Sequence, residues 1–293
     1  MNNISLFRNC CLKILNRSRS LHTTNKLSLF WEKDDRGGYP STLPQQGIKE
    51  KMRSGLAEMK EEIKLWCHEM KENLESDPQI LFRPEEVDVA WRFKNPESLE
   101  KWIATCDSDY NEGFSNCTLA RNMYGNAVFS GNINLRVPKD GRVYRAGYCN
   151  IKTKPFRRSF KRETYLNWIG YNTLVMKIRG DGRTYLLNIG ARGYYDVAWL
   201  DQYHYQLYTR GGPYWQIAKI PFSKFYFSSK GRIQDDQHPL TLNKISSFGI
   251  SAQDRHGGRF NLEIDYIGLE YDPKHVEEFA YEMYKVDKGI VSV

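Results

Sequence analysis

The feature that most constrains this chain is a change of hydrophobic period near residue 85. From there to about 272, apolar side chains recur at every second position in short runs. They include Leu174, Met176 and Ile178; Tyr185, Leu187 and Ile189; Ile133, Leu135 and Val137; and Phe260, Leu262, Ile264 and Tyr266. Alternation turns one face of a strand to a core and the other outward. The same signal predicts strands over 87–93, 143–149, 215–220 and 247–251, with one short helix over 98–103. Gly180-Asp181-Gly182 lies between two alternating runs, where Asp-Gly predicts a β-hairpin. Many short strands with Gly-rich turns, and no helix-length pattern between them, indicate an antiparallel sandwich or barrel over 85–272.

The flanks read differently. Ile48, Met52, Leu56, Met59, Ile63, Trp66, Met70 and Leu74 recur every three or four residues, with Lys and Glu on the other face. That spacing predicts an amphipathic helix over 48–76, weakened by Gly55 and stopped by Asp77-Pro78. Its apolar stripe can pack on the parent domain or dock on a partner, and the sequence leaves both open. Residues 32–47, with Gly37, Gly38, Pro40, Pro44 and Gly47, read as a linker. At the other end, Asp272-Pro273 offers a helix start, and Val276, Phe279, Ala280 and Met283 mark a short helix within 273–293.

Charge is unevenly distributed. Lys and Arg number 43 against 35 Asp and Glu, a net +8. Residues 1–31 hold Arg8, Lys13, Arg17, Arg19 and Lys26, and the first acid is Glu32. Without that stretch 38 bases face 35 acids, too even a balance for a nucleic-acid footprint. The densest basic run, from Lys152 and Lys154 through Arg157 and Arg158 to Lys161 and Arg162, is expected as a solvated loop. Acid-free, Arg- and Ser-bearing, and apolar along Leu6, Phe7, Ile14 and Leu15, residues 1–31 have the composition of a mitochondrial import sequence. No apolar run approaches the roughly 20 residues that span a bilayer. Cys67, Cys106, Cys117 and Cys149 are widely spaced, and in a reducing matrix read as buried small side chains. There the sequon Asn116-Cys117-Thr118 stays unglycosylated.

Catalytic signatures are missing: no Gly-x-Gly-x-x-Gly after a strand, no phosphate loop, no nucleophile elbow. The histidines lack the close pairing of zinc sites. Asp107 with Asp109, Asp235 with Asp236, and His204 are the residues an enzyme could use, and solvated loop acids and a hydrogen-bonded structural histidine are the plainer readings. What stands out is aromatic crowding at Tyr194, Tyr195, Trp199, Tyr203, Tyr205, Tyr208, Tyr214 and Trp215. About half should fill the core. The surplus suggests a binding face, for which Tyr194, Tyr195, Trp199, Tyr203, Tyr205 and Trp215 are the candidates. The rival use of such residues is stacking on sugar rings in a carbohydrate- or small-ligand-binding module.

Several motifs then fall into a familiar order: Trp102 with Asp107 and Glu112-Gly113-Phe114-Ser115; Ile178-Arg179-Gly180-Asp181-Gly182-Arg183 with Tyr185; Trp215 with Ile220-Pro221-Phe222-Ser223 and Phe225; and Gly249-Ile250 before Gly258-Arg259-Phe260, Leu262-Glu263-Ile264-Asp265 and Ile267. This pattern resembles the complex I intermediate-associated protein 30 family across most of 85–272, with Glu112 standing where that family has the first Gly of a Gly-Gly pair. The resemblance implies a galactose-binding-like or lectin-like jelly-roll β-sandwich with no established catalytic centre and no cofactor. It implies an assembly factor for respiratory complex I, on the matrix side of the mitochondrial inner membrane, that binds membrane-arm intermediates. The partners it implies are an acyl-CoA-dehydrogenase-like flavoprotein, the Toll-pathway signalling intermediate ECSIT, and small membrane-spanning factors.

Overall fold

The computed structural model describes residues 48–75, 83–139, 141, 143–191, 201–229 and 231–281. The expected import sequence, the linker, and Tyr194, Tyr195 and Trp199 lie outside the described residues. The spine is β15 (Gly258–Glu270), a strand of 13 residues with alternating buried and exposed positions over its first half. One of its edges pairs with β8 (Thr173–Arg179) from Glu263 to Glu270, with an irregularity between Ile264 and Tyr266. Its other edge pairs first with β4 (Ala127–Ile133) and then with β1 (Val87–Arg92). Adding β11 (Gln216–Pro221) and β3 (Asn116–Arg121) at the edges completes a six-stranded antiparallel sheet. The opposing sheet has seven strands in the order β13-β12-β10-β9-β14-β5-β2. These are β13 (Arg232–Ile233), β12 (Tyr226–Ser229), β10 (Asp201–Tyr208), β9 (Thr184–Ala191), β14 (Ile245–Ala252), β5 (Cys149–Thr153) and β2 (Trp102–Cys106). Strands β6 (Arg157–Arg158) and β7 (Arg162–Glu163) form a small separate hairpin. The expected antiparallel β-sandwich is what forms.

Alternation makes the core. Met176, Ile178 and Leu262 from one sheet and Leu187, Ile189 and Ile250 from the other have no exposed surface. At one end Trp91 stacks on Phe248 at 5.5 Å and meets the edges of Trp102 and Trp168 at 5.8 and 6.2 Å.

Some local expectations change. Gly180-Asp181-Gly182 turns the chain, but not into a hairpin: β8 pairs with β11 and β15, and β9 with β10 and β14. The turn carries the chain across the core from one sheet to the other. Asp181 drives this geometry by accepting from Arg183 N and the Tyr185 hydroxyl at 3.1 Å each, and from Asn261 N at 2.8 Å. Gly182 has φ +90°, and a Cβ at Gly180 would sit 2.3 Å from the Thr209 side chain. The short helix α2 spans only Glu97–Glu100, because Trp102 and Ile103 belong to β2. The strand expected over 143–149 starts at Cys149, after Gly147 with φ +101°. Strand β4 stops at Ile133, where Asn134 bonds to Ser115 Oγ and folds its own side chain onto Arg136 N.

After β15, Asp272 does accept from Lys274 N at 2.9 Å, but residues 273–281 hold turns and bends rather than helix. The backbone groups that would continue a helix are taken elsewhere: Asn172 Nδ2 donates to the carbonyls of Asp272 at 2.7 Å and His275 at 3.3 Å, and the Ala280 N–H donates to Ser223 O.

Ahead of the sandwich, α1 (Ile48–Glu75) is a helix of 28 residues, about 42 Å long. It meets the basic hairpin β6–β7, which is therefore not the bare solvated loop expected of it. Glu69 accepts from Ser159 N at 2.5 Å, Ser159 Oγ at 2.9 Å and Arg162 Nη2 at 2.6 Å. Two turns back, Glu62 accepts from the N–H of Phe160, a residue held at φ +56°. The Ser159 N–H keeps the Glu69 carboxyl below the usual carboxylate range.

Phe248 has no exposed surface and lies between Trp91 and Trp102. Phe248→Ala should lower stability by about 3–5 kcal/mol and the melting temperature by roughly 6–20 °C. Tyr144→Ala, at a side chain 93% exposed, should leave the thermal melt almost unmoved.

Candidate functional site

Strand alternation that buries Ile151, Leu187, Ile250 and Leu207 turns their neighbours onto the open face of the seven-stranded sheet. Those neighbours are polar. Ser251 Oγ donates to Asn150 Oδ1 at 3.0 Å, Asn188 Nδ2 donates to Ser251 Oγ at 2.6 Å, and His204 Nδ1 lies 2.7 Å from Asn188 Oδ1. The contacts fix one another's polarity. With the Asn188 amide nitrogen spent on Ser251, its oxygen must accept, so His204 carries its proton on Nδ1. The result is a ladder across four neighbouring strands, β5, β14, β9 and β10. Burial pushes His204 down to about 4, and the ring is neutral near pH 7. Asn150, Asn188 and Ser251 line a hollow of about 190 Å³ with Gln202, Ser247 and Lys152, over a floor at Gly249. Its chemistry is that of neutral donors and acceptors beside one cation, Lys152.

The opposite face, on the six-stranded sheet, is charged and paired. Lys177 meets Asp265 at 2.7 Å, Arg179 Nη2 meets both Glu263 oxygens at 2.7 and 2.8 Å, and Lys219 meets Glu270 at 2.6 Å. Trp215 lies on this side, its ring 5.1 Å from the Arg179 guanidinium and 5.5 Å from Lys177 Nζ.

The aromatic candidates are therefore not one patch. Tyr203 points inward, 3% exposed, against Phe227 and His238. Tyr205 is half-buried, 5.5 Å from Phe225. Trp215 is 36% exposed at the far sheet, and of the described residues of the crowded region Tyr208 and Tyr214 reach solvent most, at 65% and 79%. A second exposed apolar surface runs along α1, where Leu56, Met59, Ile63, Trp66 and Met70 are 43–60% exposed. The helix grips the sandwich by its acids and leaves this stripe uncovered.

Asp107 has no exposed surface. Its carboxylate accepts from Ser115 N at 2.8 Å, Ser115 Oγ at 3.0 Å and Gly147 N at 2.7 Å. A Cβ at Gly113 would lie 2.0 Å from Asp107 Oδ2, so the Gly113-Phe114-Ser115 segment is shaped to this carboxylate. Glu112 joins the same knot by accepting from the Tyr148 hydroxyl at 3.0 Å. Asp109 caps the adjoining turn by accepting from Cys106 N at 2.8 Å. The Trp-Asp and Gly-Phe-Ser motif is thus a clamp between β2, β3 and β5. Sequence reasoning singled out His204 but missed Asn150, Asn188 and Ser251. The available signal was their place at outward positions of alternating runs. Glu62 and Glu69 gave no signal beyond a seven-residue spacing.

A family model described as complex I intermediate-associated protein 30 matches residues 91–264. The mitochondrial protein of that name from Drosophila melanogaster is 53% identical over 97% of this chain and 96% of its own length. The one from Mus musculus is 43% identical over 68% of this chain and 60% of its own. Among solved structures, a family 11 carbohydrate-binding module from Clostridium thermocellum is similar at 16% identity, covering 64% of this chain and 98% of its own, with a TM-score of 0.44.

His204 gives the polar ladder a pH signature. The unfolded chain takes up a proton near pH 6.5 and the folded chain only near 4, so stability is complete above that window and falls as pH drops through it. Relative to His204→Asn, which keeps a donor toward Asn188, the parent chain should lose up to about 3 kcal/mol between pH 6.5 and 4 in urea titrations. Parallel pH curves for the two chains would show that the histidine is not held neutral.

Proposed function

Since the chain belongs to the complex I intermediate-associated protein 30 family, we propose that it is a mitochondrial assembly factor for respiratory complex I. It acts as a binding protein rather than an enzyme, on the matrix side of the inner membrane, and holds membrane-arm intermediates until later parts join. The observation that carries this reading is the uncovered stripe of α1, where Leu56, Met59, Ile63, Trp66 and Met70 stay 43–60% exposed while Glu62 and Glu69 anchor the helix. A row of apolar side chains at helical spacing on a tethered arm fits a groove on a partner protein. Trp215, with Tyr214 beside it, offers a second anchor on the sandwich. A non-catalytic role agrees with the acids weighed as catalytic, since the Asp107 oxygens are occupied and Asp109 serves as a cap. The partners that fit are assembly intermediates together with the acyl-CoA-dehydrogenase-like flavoprotein, ECSIT and small membrane-spanning factors. Among the described residues no helix is long and apolar enough to cross a membrane.

In cells lacking the gene, native gels should show less assembled complex I and an accumulation of membrane-arm subcomplexes. The wild-type chain should restore assembly, and a chain with Ile63→Ser, Trp66→Ser and Met70→Ser should not, although its melt is unchanged. Normal complex I in the null line would overturn the reading, and full rescue by the triple variant would remove α1 from it.

A second reading rests on the hollow. The side chains of Gln202 and Ser247 and the amide nitrogen of Asn150 meet no hydrogen-bond partner among the described residues, and all three line it. They suit a small polyhydroxylated ligand. Millimolar glucose or myo-inositol should then raise the melting temperature, and less so for Gln202→Ala. A flat melt with both compounds rules this reading out.

A further inference from the structure

Cys106, Cys117 and Cys149 are far apart in the chain but meet at one corner of the sandwich. Cys106 ends β2, Cys149 starts β5, and the two are direct antiparallel partners. Lys154 N donates to Lys101 O on one side of them and Asp107 N to Tyr148 O on the other. Those bonds bracket Cys106 and Cys149 as a non-hydrogen-bonded pair, with Cα atoms about 4.5 Å apart. That spacing lies within the roughly 4.4–6.8 Å that a disulfide spans. Both side chains face the core, 6% and 0% exposed.

Cys117 arrives from the other sheet, on β3, and is half-buried. Its Sγ donates to Thr105 O at 3.4 Å, next to Cys106, while Cys149 Sγ donates to Asn116 O at 3.6 Å, next to Cys117. The three thiols therefore interlock, each of the two contacts running to the backbone beside another cysteine. The neighbouring Cys149 thiol draws the Cys117 thiol below its ordinary value, and the Cys117 thiol together with burial pushes Cys149 up. Burial likewise raises Cys106. Gradation of this kind distinguishes an attacking thiol from buried partners.

We propose that this corner is a thiol–disulfide exchange site for glutathione-type disulfides, with Cys117 as the entry thiol and Cys149 as the resolving one. The Cys117 thiolate attacks one sulfur of glutathione disulfide, and one glutathione leaves as its thiol. Cys149 then attacks the Cys117 sulfur of the mixed disulfide, and the second glutathione leaves. The protein gives up two thiol hydrogens and two electrons, and one glutathione disulfide becomes two glutathione thiols. Cys106 can exchange onto Cys149 through their cross-strand pairing, which returns Cys117 to a thiol. While Cys149 is joined to Cys117, a covalent bond ties β3 of one sheet to β5 of the other. Closing so long a loop stabilises the native state.

The test uses the full chain carrying Cys67→Ser, which removes the exposed thiol on α1. After equilibration with glutathione disulfide and alkylation, peptide mapping should find Cys149 joined to Cys117 or Cys106, with dithiothreitol reversing it and a higher melting temperature in the oxidised form. Adding Cys149→Ser should leave glutathione trapped on Cys117, and Cys149→Ala serves if the serine chain does not fold. Three alkylated thiols in the Cys67→Ser chain would overturn the proposal. So would a folded Cys149 variant that takes up no glutathione at Cys117.

Discussion

A carboxylate with no exposed surface organises one end of this molecule. Burying such a group costs several kcal/mol unless its oxygens are met by donors. Asp107 therefore draws in the N–H and hydroxyl of Ser115 and the N–H of Gly147, which fixes where β3 and β5 begin relative to β2. Because β3 belongs to one sheet and β2 and β5 to the other, the carboxylate sets the spacing of the two sheets at that edge. Asp181, though exposed, ties the chain where β8 hands over to β9, taking donors from its own turn, from Tyr185 and from Asn261. An acid weighed as catalytic and an acid read as part of a hairpin turn are thus the joints of the sandwich, and the thiol corner sits directly beside the first of them.

That division explains what the chain's sequence reveals. The fold class is legible because period-two alternation is a local signal: Leu174, Met176 and Ile178 share a face whatever they pair with. Pairing is not local. Asp-Gly after Ile178 marks a turn correctly, yet the hydrogen bonds of Asp181 to Asn261, far along the chain, decide that the turn crosses between sheets. The polar ladder is hidden for the same reason, since Asn150, Ser251, Asn188 and His204 become neighbours only through strand order. The short tail after Pro273 shows the converse: a sound cap at Asp272 is overruled by Asn172, which captures the carbonyls a helix would need. Of the aromatics, alternation alone separates Tyr203, facing the core, from Tyr208, facing water.

The two outer faces and the helix differ in what it would take to cover them. On the six-stranded sheet, Lys177 with Asp265 and Arg179 with Glu263 are joined across strands and still hydrated, so a partner covering them must replace that hydration for little gain. The seven-stranded face satisfies most of its polar groups through its own ladder, and suits contacts that supply matching donors and acceptors.

The stripe on α1 presents the opposite balance. Its five half-exposed apolar side chains would contribute on the order of 5 kcal/mol if a partner took their remaining surface from water. Nothing polar on that stripe must be stripped of water first. Glu62 and Glu69 lie off the stripe and stay bound to Ser159 and Phe160, so the helix can engage a partner without letting go of the sandwich. An arm pre-ordered in this way spares the partner complex the cost of folding it. The sandwich thereby contributes to binding chiefly by holding a helix in place, and the exposed Trp215 adds an aromatic anchor already flanked by fixed charges.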